Sequence, residues 1–252
     1  MLMEIVLVPG LWLDGSTWDA VAAVLERAGH TVRPLTLPGM ESKDVDRSGV
    51  TLADQVAAVV TALDQAEGPV LLVGHSAGCG ISHAAVDARP DTVARAVYIG
   101  GFPTPGDAPL LDGLPAEYGE VAMPDWAEVG EEANVVDFDG PTLARFYAAA
   151  IPAPERVLTD PQRLSNDRRY DIPVTLVCPE YTSDDVRQWV AAGAEPVSEL
   201  TRMHDVTYVD LPGGHWPQIT QPGKLARVIL DAAASAAGLS TDGVRAHGPD
   251  GG

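Results

Sequence analysis

Positive charge, cysteine and long apolar runs are all scarce in this sequence. Its 252 residues carry 16 Lys and Arg against 36 Asp and Glu, a formal net charge of −20 at pH 7. Such a chain lacks the basic patches that neutralise nucleic-acid phosphates, and anionic membrane surfaces repel it. Neither nucleic acid nor a membrane is expected as a partner. Lysine occurs only at Lys43 and Lys224, which argues against a lysine-based phosphate or Schiff-base site. Two cysteines, Cys79 and Cys178, make no disulfide scaffold. Each lies in or after an apolar run, where a free thiol acts as a small hydrophobe. No apolar run approaches the roughly 18 residues of a membrane span. Met1 leads at once into a strand-like segment rather than a signal-peptide pattern, so a cytoplasmic location is expected. The metal patterns H-E-x-x-H, paired C-x-x-C and the calcium loop are missing, as is G-x-x-x-x-G-K-[ST]. No metal or cofactor is expected.

What remains is 46% apolar, enough for a sizeable core. Short apolar runs alternate with helical patterns. Strands are expected at Met3–Val8, Thr31–Leu37, Val70–Val73, Val93–Ile99, Ile172–Cys178 and Val206–Leu211. Helices are expected over Trp18–Ala28, over Thr51–Leu63 with Thr51 as N-cap, over Ala77–Asp87, and near 183–193 and 221–237. Continuously apolar strands alternating with helices predict a mostly parallel α/β sheet covered on both faces. The alternation breaks once. Residues 103–170 have no strong strand signal, carry Pro, Gly, acidic residues and short helical patches such as Thr142–Ala150, and are too long for a plain loop. They read as a cap inserted into a core made of 1–102 and 171–238. The polar, Gly-rich tail, 239–252, is expected to be disordered.

The sharpest chemical signal is Gly74-His75-Ser76-Ala77-Gly78 between an apolar strand and a helical pattern. A G-x-S-x-G in that context is a nucleophile elbow, with Ser76 exposed on a strained turn at the N-terminus of a helix. Serine needs an adjacent base. Of six His, His75 is inside the elbow with its side chain expected to point away, and His83 reads as packed within the helix. His204 precedes a strand, at the wrong edge of the sheet. His215, in Pro212-Gly213-Gly214-His215-Trp216-Pro217, follows the last strand at the carboxyl edge, where open α/β sheets bind their ligands. An oxyanion hole needs two preorganised N–H donors. Ala77 supplies one, and Leu11, after Pro9-Gly10, the other; Gly10 permits close backbone approach.

With the loop from Pro9-Gly10 through Gly15 and Trp18, the elbow GHSAG and the late GGHWPQ, the chain resembles the α/β-hydrolase superfamily over about 3–235. It is most similar to small capped esterase-type members, the group of methylesterases and hydroxynitrile lyases. The resemblance implies a six-stranded sheet in the order 2-1-3-4-5-6, with helices on both faces and a helical cap, and a catalytic triad. Members of that group place an acid just beyond the penultimate strand. Here the segment reads Cys178-Pro179-Glu180-Tyr181-Thr182-Ser183-Asp184-Asp185, with Thr182 roughly where an Asp belongs. Glu180 is the nearest carboxylate and the favoured one. Asp184, in a helix start that Ser183 would cap, and Asp107, the first carboxylate beyond the fourth strand, remain alternatives.

The implied function is that of a serine esterase cleaving a small or medium, largely apolar ester or lactone. A lyase or cyclisation catalyst using Ser76 and His215 for proton transfer is an alternative, as is a non-catalytic ligand-binding protein. Gly10, Trp12, Phe102, Trp126, Phe146 and Trp216 are candidate pocket residues. Residues 103–140 hold ten Asp and Glu and no Lys or Arg. That concentration reads as a solvated cap surface or as a negative rim favouring neutral over anionic substrates. Association into a homodimer is left open.

Overall fold

The computed structural model describes residues 2–238, so the expectation for the tail at 239–252 lies outside the described residues. In chain order the elements are β1 (Glu4–Val8), α1 (Asp19–Arg27), β2 (Thr31–Pro34), α2 (Leu52–Asp64), β3 (Val70–His75), α3 (Ala77–Ala88), β4 (Val93–Ile99) and β5 (Glu120–Val121). They continue with α4 (Gly140–Ala149), β6 (Ala153–Pro154), α5 (Glu155–Thr159), β7 (Val174–Cys178), α6 (Ser183–Ala191), β8 (Val206–Asp210), α7 (Pro217–Thr220) and α8 (Pro222–Ala236). Six strands form one parallel sheet in the order β2-β1-β3-β4-β7-β8. This is the expected order; the numbers differ because β5 and β6 lie outside that sheet.

Strand geometry divides the core in two. Successive side chains point to opposite faces, so Val6, Val8, Leu72 and Tyr98 pack with Val59 and Leu63 of α2 and Ile81 and Ala85 of α3. Ile5, Leu7, Leu71, Val73 and Val97 pack on the other face with Val21 and Leu25 of α1 and Leu225 and Ile229 of α8. Fully buried strands therefore have no polar side to show, which explains their unbroken apolar runs.

The boundaries differ locally. β2 ends at Pro34, whose missing N–H falls on the open edge of the sheet, and the Leu35 N–H still donates to Leu7 O of β1. A capped 3-10 turn over Gly15–Trp18 delays α1 to Asp19. Thr51 caps α2 as expected, closing a capping box with Asp54. Thr182, not Ser183, caps α6, through a second capping box with Asp185. Between β4 and β7, β5 and β6 pair as a two-residue antiparallel ladder, too short to leave a periodic signal.

A buried polar cluster ties the end of that inserted segment to α3. Asp87 accepts hydrogen bonds from the Ser165 and Asn166 amides and pairs with Arg169. Glu199 accepts from Arg169 and Tyr170 and sits 2.8 Å from His83 Nε2. His83 is thus a packed residue, as read from its place in the helix, and burial lowers its pKa.

Candidate active site

Ser76 joins β3 to α3 with φ 54° and ψ −127°, a left-handed conformation that a non-glycine residue adopts only under constraint. The constraint is tight packing on every side. A Cβ at Gly74 would lie 2.5 Å from the Gly78 carbonyl oxygen, one at Gly78 2.5 Å from that of Pro9, and one at Gly101 2.5 Å from that of Ser76. A Cβ at Gly10 would come within 2.9 Å of the Ser76 Cβ. The glycines of the elbow and its neighbours are there for clearance.

His215 Nε2 lies 2.8 Å from Ser76 Oγ, and His215 Nδ1 lies 2.6 Å from Glu180 Oε1. With Nδ1–H donating to the carboxylate, Nε2 is the free acceptor for the serine hydroxyl. The register explains how distant residues meet. β7 and β8 pair to Cys178 opposite Asp210, and their exits stay joined as Leu211 N–H donates to Cys178 O and Gly213 N–H to Pro179 O. The turn holding Glu180 is anchored at its far end by the Thr182 cap and by Ser183, whose N–H and hydroxyl both donate to Asp210. Gly100, at φ +57°, clears the space: a Cβ there would sit 3.3 Å from Glu180 Oε2 and 3.5 Å from His215 Nδ1.

The alternative acids lie elsewhere. Asp184 is exposed and pairs with Arg187, one turn along α6. Asp107 is exposed and pairs with Arg163. Neither contacts His215, because each side chain points to solvent.

The amides of Leu11 and Ala77 have no acceptor among the described residues, so both are open to a ligand oxygen. A cavity of about 790 Å³ opens over Ser76 and His215. Leu11, Trp12, Phe102, Leu110, Leu114 and Trp126 line its apolar wall. Asp112, Glu131 and Glu195 also line it, and no Lys or Arg does. Three pocket candidates are corrected. Trp216 is buried behind the base, its ring packed on His215, Trp126 and Phe146. Phe146 faces a separate cavity of about 360 Å³ beside α1 and α4, sharing only the Trp12 wall. Gly10 lies beneath the elbow, its role steric.

Two contacts were not anticipated. The His215 N–H donates to the Asn134 carbonyl, 2.8 Å away in the inserted segment. A Cβ at Gly214 would lie 2.5 Å from that same oxygen, and one at Gly213 would meet the Gln221 amide first and then Asp137 Oδ2 at 2.7 Å. The glycine pair before His215 was the available signal: it marks where another segment lies on the loop. Trp12 is held similarly. Its Nε1–H donates to Val121 O, and its carbonyl accepts from Ile151 N–H.

Residues 5–228 match the alpha/beta hydrolase family. The chain is 28% identical over 266 residues to a pyrethroid hydrolase from Sphingobium wenxiniae, covering 98% of this chain and 93% of that protein. An extracellular alpha/beta-hydrolase from a Paenibacillus species is similar in structure at TM-score 0.73 and 20% identity, over 91% of this chain and 98% of the other. A methylesterase from Arabidopsis is similar at TM-score 0.70 and 20% identity, over 93% and 100%.

Proposed function

Because the chain belongs to the alpha/beta hydrolase family, we propose that it is a serine hydrolase cleaving a small or medium, largely apolar and uncharged ester or lactone through an acyl-enzyme. The observation that carries this reading is the run Ser76–His215–Glu180, at 2.8 and 2.6 Å, at the base of an apolar cavity with two open amides. Ser76 Oγ attacks the acyl carbon while His215 Nε2 takes its proton. The Leu11 and Ala77 N–H groups hold the oxyanion. His215 returns the proton to the leaving alcohol, and a water then repeats the sequence in reverse, releasing the acid and restoring Ser76. Glu180 orients the ring and stabilises the imidazolium.

The lining supports the substrate class. Its aromatic and aliphatic side chains favour apolar groups, and a mouth bearing Asp112, Glu131 and Glu195 with no cation repels carboxylates. The likeness to a pyrethroid hydrolase agrees with ester hydrolysis. The Glu180–His215 contact supports the hydrolase reading by supplying the carboxylate that orients the base.

The test is turnover of a panel of p-nitrophenyl esters and lactones, together with fluorophosphonate labelling. Ser76→Ala is expected to lose labelling and to cut turnover by about 10⁴-fold or more. Undiminished turnover in that variant overturns the mechanism.

A further inference from the structure

Glu180 holds the ring of His215, but other groups hold its main chain. The His215 carbonyl oxygen lies 2.7 Å from His75 Nε2. A carbonyl only accepts, so His75 Nε2 carries a hydrogen. His75 is completely buried, and burial, with the neighbouring His215 ring adding to it, pushes its pKa down to about 3. The ring is therefore neutral and its Nδ1 is bare. Gln218 Nε2 lies 3.2 Å from that Nδ1, which fixes the amide with its nitrogen toward His75. Gln218 is itself only 1% exposed.

We propose that His75 and Gln218 are positioning residues for the base: Gln218 N–H donates to His75, whose Nε2–H donates to the His215 carbonyl, holding the His215 main chain at the height that sets Nε2 against Ser76 Oγ. This rests on the role of His215 as base. His75 does not line the cavity, so its effect reaches the reaction only through His215. The division of labour is geometric. Glu180 fixes the rotation of the ring, and the relay, with the Asn134 carbonyl on the N–H side, fixes the pivot. A displacement of about 1 Å at a reacting group costs up to about 10²-fold in rate. The relay also gives a use to the His of GHSAG and the Gln of GHWPQ, which the triad leaves idle.

Three variants and one spectrum test it. His75→Leu removes the donor. His75→Gln keeps an N–H able to reach the His215 carbonyl. Gln218→Met keeps the volume and removes the donor to Nδ1. For p-nitrophenyl ester turnover, His75→Leu is expected to lower kcat at least about tenfold with KM within about twofold. His75→Gln is expected to recover most of that loss, and Gln218→Met to lose about two- to fivefold. Histidine side-chain ¹⁵N spectra should show His75 as the neutral Nε2–H tautomer from about pH 5 to 9, with a tautomer mixture in Gln218→Met. The proposal is overturned by an Nδ1–H tautomer in the wild type, by an unchanged kcat in His75→Leu, or by equal losses in the Leu and Gln variants. If His75→Leu does not fold, Gln218→Met and the spectra decide. A wild type that neither turns over esters nor labels overturns the hydrolase reading, while the tautomer still decides the relay.

Discussion

In the sheet, β1, β3 and β7 bury nearly every side chain and carry no charged residue after Glu4. In the insertion, residues 103–140 carry ten carboxylates and no Lys or Arg, and Tyr118, Val129 and Val136 face solvent. The two regions answer to different constraints. The sheet holds Ser76, Glu180 and His215 on the ends of packed strands, where steric clearance fixes the conformation of each turn. The insertion touches that frame at points that include Val121 and Ile151 on Trp12, Asn134 on His215, Trp126 and Phe146 on Trp216, Gln162 on Gly80, and the Ser165–Asn166 amides on Asp87. Under the proposed function the sheet edge supplies the chemistry and the acidic insertion the selection of substrate, with a few contacts joining the two.

That division can be broken experimentally, first at its strongest point. Glu180→Gln is expected to reduce kcat by about 10²-fold or more, the order lost with an orienting group. Asp184→Asn and Asp107→Asn should leave it within about twofold, as exposed changes do. A large loss in either of these assigns the acid elsewhere. Next is the joint. Gly214→Ala puts a Cβ against the backbone oxygen of Asn134 at 2.5 Å. Either the loop or the insertion must shift, so kcat should fall by about tenfold with the fold retained by circular dichroism. Normal kcat would show that the insertion does not constrain the base.

A third measurement concerns the core alone. His75 has its pKa lowered to about 3 by burial, against 6.5 when unperturbed, so the unfolded chain binds its proton first as pH falls. The stability it contributes is complete above about pH 6.5 and is lost progressively toward pH 3; His83 acts in the same direction. Between pH 7 and 6 the loss from His75 is on the order of 1 kcal/mol or less, read as a lower urea midpoint. A midpoint that does not fall would mean that His75 takes up a proton without unfolding. The smallest effect is expected at the rim. Replacing Asp112 and Glu131 by their amides should raise kcat/KM for an anionic ester about two- to threefold at low salt, leave a neutral ester unchanged, and lose its effect as salt rises. Equal gains on both esters would deny the insertion its selective role.

Much of this was legible in the sequence. Unbroken apolar runs marked the inner strands β1, β3 and β7, because burial on both faces excludes polar side chains, while the edge strands β2 and β8 are more polar and half exposed. GHSAG after Val70–Val73 marked the elbow because few residues tolerate that turn. Thr182 and Asp185 carry the spacing of a capping box, so the cap of α6 was readable, though the place the family gives to an acid drew attention to Ser183 instead. The two-residue strands β5 and β6 had no such signal, since their pairing depends on what they are packed against.

By itself the sequence determined the fold class, the nucleophile turn and the edge of the sheet on which the base lies. These depend on local sterics and on a burial period of two residues, both written in neighbouring positions. Only the tertiary structure chose Glu180 over Asp184 and Asp107, turned Trp216 and Phe146 away from the cavity while leaving Trp12, Phe102 and Trp126 on it, and set Asn134 and His75 on either side of the His215 backbone. Those outcomes are packing and hydrogen-bond contacts between distant loops, 35 to 140 residues apart for the bonds of His215 to Glu180 and His75. The β7–β8 register and the packing of the insertion fix such distances, and no local pattern encodes them.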